Sequence, residues 1–86
     1  MEATRDSIGI DFLRNEVGTA SVFARIAAEA EQDNEKKVRN RHRARRVYDT
    51  LLRFASQLVL TADEHDEMRK NLTELHRLLV DLGETF

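Results

Sequence analysis

The chain reads as an all-α protein, an antiparallel three-helix up-down-up bundle, and three observations predict it. Proline is absent and glycine stands only at positions 9, 18 and 83, so residues 19–82 carry almost no backbone punctuation. Ala, Leu, Glu and Arg, all good helix formers, dominate the composition. Three separate stretches space their apolar residues alternately by four and three, the seam of a helix packed against others.

The first helix is expected over about residues 10–32, beginning somewhere between Asp6 and Asp11. Leu13, Val17, Ala20, Ala24 and Ala27 form its seam, flanked by Phe23 and Ala30. Small residues in its second half would let its axis come close to the next helix. That second helix is expected over about residues 34–59, with its seam at Ala44, Tyr48, Leu51, Ala55 and Leu58. Val47, Leu52, Phe54 and Val59 widen its apolar arc to nearly half the circumference, at about 100° per residue. A helix that apolar needs two neighbours, as the central member of the bundle has. Followed backwards, the same arc passes through Asn40, Arg41 and Lys37, so the bundle turns polar toward that helix start.

The third helix, over about residues 62–82, has its seam at Met68, Leu72, Leu75, Leu79 and Leu82. Thr61 and Glu64 form the T-x-x-E capping box, in which each side chain takes a backbone N–H that the helix leaves unpaired. Asp63, Glu64, Asp66 and Glu67 favour the positive end of the helix dipole. Gly83 ends the helix, because glycine takes the left-handed conformation without strain.

Asp33-Asn34 is read as the first reversal, since both residue types cap helices and form turns. One continuous helix from about residue 11 to 58 is the alternative; it exceeds the usual length in small domains and would leave two seams to be covered by another chain. The second reversal is expected at Leu60-Thr61, with at most about two residues between helices.

Length and composition exclude several classes. Eighty-six residues make a single domain, 1–86, because two independent cores do not fit. A core of this size is marginal without a disulfide, a metal or a partner chain. Cysteine is absent, which removes disulfides and thiolate metal sites and makes the cytoplasm the natural expectation. No apolar run approaches the ~20 residues of a membrane span. The opening MEATRDSIGIDFL lacks a basic stretch followed by an apolar one, so it is not read as a signal peptide.

The strongest local feature is KKVRNRHRARR, residues 36–46, which holds seven Lys or Arg and no acid in a chain of net charge -2. Folded as above, the run would lie beside Glu29 and Glu31 at the end of the first helix, and Glu74, Asp81 and Glu84 near the end of the third. Charge neutralisation between helices is therefore its first reading. The other is nucleic-acid binding through Lys36, Lys37, Arg39, Arg41, Arg43, Arg45 and Arg46, since arginine forks pair with phosphate oxygens and release counterions. Against that stand the slightly acidic whole chain and the lack of a base-stacking aromatic platform, Tyr48 being on the apolar arc.

No constellation for chemistry is visible. His65 and His76 share an edge of the third helix but lie three turns apart, about 16 Å, too far for one metal. His42 sits alone among arginines. No nucleophile elbow or glycine-rich phosphate loop is present. Neither a catalytic site, a cofactor nor a metal is expected, and the protein is read as non-enzymatic. Apolar residues left over at Ile8, Ile10, Phe12, Val22 and Phe86 are expected either to close an open end of the bundle or to meet a second chain. Three helices also leave a groove that a partner helix could fill.

The residues Arg39-Asn40, Ala44-Arg45, Tyr48-Asp49-Thr50 and Leu52-Arg53-Phe54, followed by Leu60-Thr61 and Glu64, resemble a set of short uncharacterised bacterial helical proteins, over roughly residues 13–83. No functional residue carries over from that likeness. Ala44-x-x-x-Tyr48-x-x-Leu51 is similar to the second helix of a tetratricopeptide repeat, and the three-helix plan at this length resembles the microtubule-interacting and transport domain. Such folds bind peptides and helices, so the resemblance implies protein-protein interaction or self-association.

Overall fold

The computed structural model describes residues 7–86; residues 1–6, among them Asp6 and the opening of the segment read as no signal peptide, lie outside the described residues. Three helices follow in order: α1 (Ser7–Glu29), α2 (Asn34–Ala55) and α3 (Ala62–Asp81). They form the three-helix bundle that the apolar spacing predicts, with no strand among the described residues.

The chain does reverse at Asp33. Its side chain accepts the Lys36 backbone N–H at 3.0 Å, and its carbonyl accepts the Lys37 N–H at 3.0 Å. One residue thus supplies both the cap and the first turn of α2. The rod through residues 11–58 does not form. α1 stops at Glu29 rather than near 32, and residues 30–33 make the link with Ala30 tucked into the core at 9 % exposure.

The second link is longer than expected. α2 ends at Ala55, and the six residues 56–61 connect it to α3. Two successive tight turns, Gln57 N–H to the Phe54 carbonyl and Leu58 N–H to the Ala55 carbonyl, unwind the helix. The reason is geometric. Leu60 is nine positions past Leu51, about 900° or half a turn away on a continued helix, which would leave it facing water. Breaking the helix lets both Leu58 and Leu60 lie against the core.

α3 begins as its capping box dictates. Thr61 N–H donates to Glu64 Oε1 at 2.9 Å, and Glu64 N–H donates to Thr61 Oγ1 at 3.1 Å. It ends in a Schellman motif at Gly83, whose φ is 104°. Glu84 N–H reaches the Leu79 carbonyl and Gly83 N–H the Val80 carbonyl, both at 2.9 Å. The chain therefore turns back toward α2 after α3.

The core is the sum of the three seams. Leu13, Ala20, Ala27, Ala44 and Leu79 are wholly inaccessible, and Leu51 and Leu75 nearly so. Ile10, left over in the sequence reading, belongs to this core at 2 % exposure. Asn40 is the one buried polar residue among those described; its amide donates to the Lys36 carbonyl at 2.9 Å, within its own helix. The apolar arc of α2 is narrower than expected, since Leu52 and Val59 are 46 % and 65 % exposed. α1 and α2 form the most extensive contact and α2 and α3 the least, so the α2–α3 side stays partly open.

Arg14 ties α1 to α3 through two parallel hydrogen bonds to Glu67, at 2.8 and 2.9 Å. The hydrogen bond from Arg14 holds the Glu67 carboxyl below its ordinary 4.5. A carboxyl depressed in the folded state contributes stability that is complete above its unfolded value and is lost as pH falls through the folded one. In Arg14→Gln the Glu67 carboxyl should titrate closer to 4.5 by NMR. The acid destabilisation below that pH should also be shallower than in the parent chain.

Gly18 sits inside α1, exposed, with nothing within 4 Å of an added Cβ. Glycine has the larger freedom to lose on folding, so Gly18→Ala should stabilise the bundle by about 0.5–1 kcal/mol. Thermal melting monitored by circular dichroism checks this, with an expected rise of about 2–8 °C.

Candidate functional site

The basic run occupies the first half of α2, and helical geometry divides it. At about 100° per residue, Arg41 and Arg45 fall on the edge of α2 facing α3, beside Tyr48. Arg39, Arg43 and Arg46 fall on the outer side and are exposed.

The inner pair is engaged. Glu84, brought back by the turn at Gly83, places one carboxylate oxygen 2.9 Å from Arg41 Nε and the other 3.0 Å from Arg45 Nη1. The Arg41 contact is Coulombic, because its Nε–H is not aimed at the oxygen and finds no hydrogen-bond acceptor. Arg41 Nη1 also donates to the Leu82 carbonyl at 3.4 Å, and Arg45 Nη1 to the Thr85 carbonyl at 2.7 Å. α3 has no basic residue in its own last turn; these arginines from α2 supply positive charge at the negative end of its dipole. Desolvation works against the Arg45 charge, but the hydrogen bonds it donates to Asp49 and Glu84 outweigh it and raise its pKa.

Phe86 completes this latch. Its ring lies 3.9 Å from the Arg45 guanidinium carbon, 4.1 Å from the His76 ring centre and 5.3 Å from that of Tyr48. Phe86 thus folds back over the bundle rather than projecting from it. Tyr48 is buried as expected, and burial pushes its phenol pKa up, with Asp49 adding to the shift and Arg45 opposing it.

Neutralisation by the remaining acids does not occur. Glu74 and Asp81 are both held by Arg77 on α3 itself. Glu29 and Glu31, exposed at the end of α1, make no ion pair with the run. The i,i+3 and i,i+4 positions on α3 are simply nearer than another helix, and a local pair needs less ordering of side chains. Among the described residues, Lys36, Lys37, Arg39, Arg43 and Arg46 therefore have no carboxylate partner; Arg43 instead covers the Phe23 ring at 5.7 Å.

Arg53 extends the outer row, though it lies beyond the basic run and escapes a reading based on charge density. Arg39, Arg43, Arg46 and Arg53 follow at spacings of four, three and seven residues, which aligns them on one face over about 21 Å. Helical phase was the signal that could have added it.

Elsewhere the structure offers grooves between the helices. One of about 380 Å³ opens between α2 and α3, lined by Tyr48, Leu52, Leu72, Thr73, Arg69 and His76. Another of about 480 Å³ lies where Ser21, Ala24 and Ala28 of α1 face Leu78 and Leu82, a consequence of the small side chains there. His42 and His65 are exposed, and His76 packs against Phe86 and Tyr48. Among the described residues no group of three His, Asp or Glu could hold a metal ion, and no helix is long and apolar enough to cross a membrane. No protein-family model, curated protein or solved structure matches the chain significantly.

Proposed function

We propose that this protein is a non-enzymatic interaction module that holds an acidic protein partner along the outer face of α2. One observation carries the reading: Arg39, Arg43, Arg46 and Arg53 form an exposed row without carboxylate partners among the described residues. A row of uncompensated guanidiniums repels itself, and an acidic partner relieves that repulsion while accepting forked hydrogen bonds. Phe12 and Phe23 border the row with partly exposed rings, and arginine beside aromatic surface is the composition enriched in protein interfaces. The tetratricopeptide-like spacing of Ala44, Tyr48 and Leu51 supports the same class of function. The cysteine-free composition supports a cytoplasmic setting as part of this reading.

The alignment of the row also favours a second reading, nucleic-acid binding, in which the same guanidiniums track phosphates. Base recognition has little support, because Tyr48 is buried and Arg43 covers Phe23.

The two are separated by titrating one protein at low salt with a glutamate-rich amphipathic helical peptide, duplex DNA and structured RNA. The peptide is expected to bind, and the triple variant Arg39→Glu, Arg43→Glu, Arg46→Glu to bind it at least about tenfold more weakly, a loss of ~1.4 kcal/mol. Salt-dependent binding of DNA or RNA with no binding of the peptide would transfer the assignment to nucleic acid.

A further inference from the structure

We propose that the groove between α2 and α3 binds a peptide in which an acidic residue, a spacer and an aromatic residue are followed by apolar ones. The chain's own segment 84–86 lies in one end of that groove and shows the chemistry it accepts. Its residues meet successive positions of α2. The Glu84 carboxylate lies against Arg41 and Arg45, and the Thr85 carbonyl accepts from Arg45 Nη1. The Phe86 ring then packs on Tyr48 and on His76 of α3, under the Arg45 guanidinium. A carboxylate between two guanidiniums, a main-chain carbonyl on one of them and a ring beneath it are together the contacts that recognise a peptide.

The groove continues past Phe86. Tyr48 and His76, which touch that ring, also line the space of about 380 Å³ that opens over Leu52 and Leu72. Leu72 and Arg69 lead on into a further space of about 140 Å³ over Leu60 and Met68. α2 and α3 make the least contact of the three helix pairs, so this side of the bundle is a trough with an apolar floor. Segment 84–86 points along it, from Arg41 toward Leu52.

Charge selects what enters. With Glu84 displaced, Arg41 has no carboxylate among the described residues and Arg45 has only Asp49. A ligand lacking an acid at that level leaves both guanidiniums partly desolvated and unpaired; one that carries it restores the pair. Segment 84–86 competes at an effective concentration on the order of millimolar. A ligand overcomes it through the apolar floor beyond Phe86, where each buried methylene adds up to about fourfold in affinity. None of the outer row, Arg39, Arg43, Arg46 and Arg53, takes part, so this site stands or falls apart from the acidic-partner reading above.

A labelled peptide Gly-Glu-Thr-Phe-Leu-Leu, titrated into the full chain, tests the proposal. Phe86→Ala should bind it at least about tenfold more tightly than the parent, because the resident ring no longer competes. The parent reports the same event without a substitution. Saturating peptide should move its Phe86 ring resonances toward random-coil positions and shift those of Tyr48, Leu52 and Leu72. A peptide with lysine in place of glutamate should bind at least about tenfold more weakly. The outer-row variant Arg39→Gln, Arg43→Gln, Arg46→Gln should bind the original peptide as the parent does. Absence of binding to both parent and Phe86→Ala at about 1 mM, near the weakest specific association worth the name, overturns the proposal. So does binding indifferent to the lysine replacement, or binding that leaves the Tyr48 and Leu72 resonances in place.

Discussion

Leu79→Ala should lower the stability of the bundle by about 3 kcal/mol. Leu79 is wholly inaccessible and lies in the seam that α3 presents to both other helices. Truncation there loses the transfer free energy of the removed methyl groups and leaves a cavity, together about 2–5 kcal/mol in well-packed cores. A chain of this length has a total stability of roughly 4–13 kcal/mol, so a large share disappears. The melting midpoint should fall by about 12–24 °C at 4–8 °C per kcal/mol. Leu52→Ala is the matched control. Leu52 is 46 % exposed on the open α2–α3 side, and its truncation should cost less than about 1 kcal/mol. Equal losses at the two positions would mean that the α2–α3 side is closed in solution.

Glu84→Ala should cost about 1–2 kcal/mol, the range for hydrogen bonds to charged groups after allowing for partial exposure. Its side chain is 12 % exposed, and those of Arg41 and Arg45 are 25 % and 26 %. Removing the carboxylate leaves two guanidiniums side by side, one with an Nε already lacking a hydrogen-bond acceptor. Breaking a sequestered pair on one side costs more than the pair contributes, because the remaining charge stays desolvated. Denaturant unfolding should show the loss as a lower midpoint with an unchanged slope. Glu74→Ala, which breaks the pair with Arg77 on the open surface of α3, should leave the midpoint nearly where it was. The Phe86 contact gives an independent sign: its ring resonances, now between Arg45 and His76, should move toward random-coil positions in Glu84→Ala.

These two predictions draw on different kinds of information. Leu79 is legible from spacing, since Met68, Leu72, Leu75 and Leu79 recur at 4-3-4 and only a buried seam keeps that rhythm. The capping box at Thr61 and Glu64 is legible for the same reason, because both partners lie within one turn of helix. Glu84 is legible only in part. Its place near the basic run follows from antiparallel helices, but so does that of Asp81, and Arg77 takes Asp81 instead. Which acid meets which arginine depends on competition between a neighbour four residues away and one across the bundle.

The second reversal shows the same division. Asp33 could be identified from its own chemistry, as a side chain that accepts the N–H three residues on. The end of α2 could not, because Ser56–Leu60 contains no glycine or proline and continues an acceptable helical pattern. The helix stops where Leu60 must face inward, and inward is defined only once α1 and α3 are in place.

Residue order by itself determined that this protein is all helix, where its core seams run, and how α3 starts and ends; it favoured a turn at Asp33-Asn34 over one continuous helix without deciding between them. Those features depend on groups within one or two turns of one another, whose relative positions helical geometry sets in advance. Tertiary structure decided the rest: the six-residue second link, the open α2–α3 groove, the latch of Glu84 and Phe86, and the split of one basic run into an engaged pair and an exposed row. Each of these is a choice among near-equal partners, and the distances that settle it exist only after the three helices have packed.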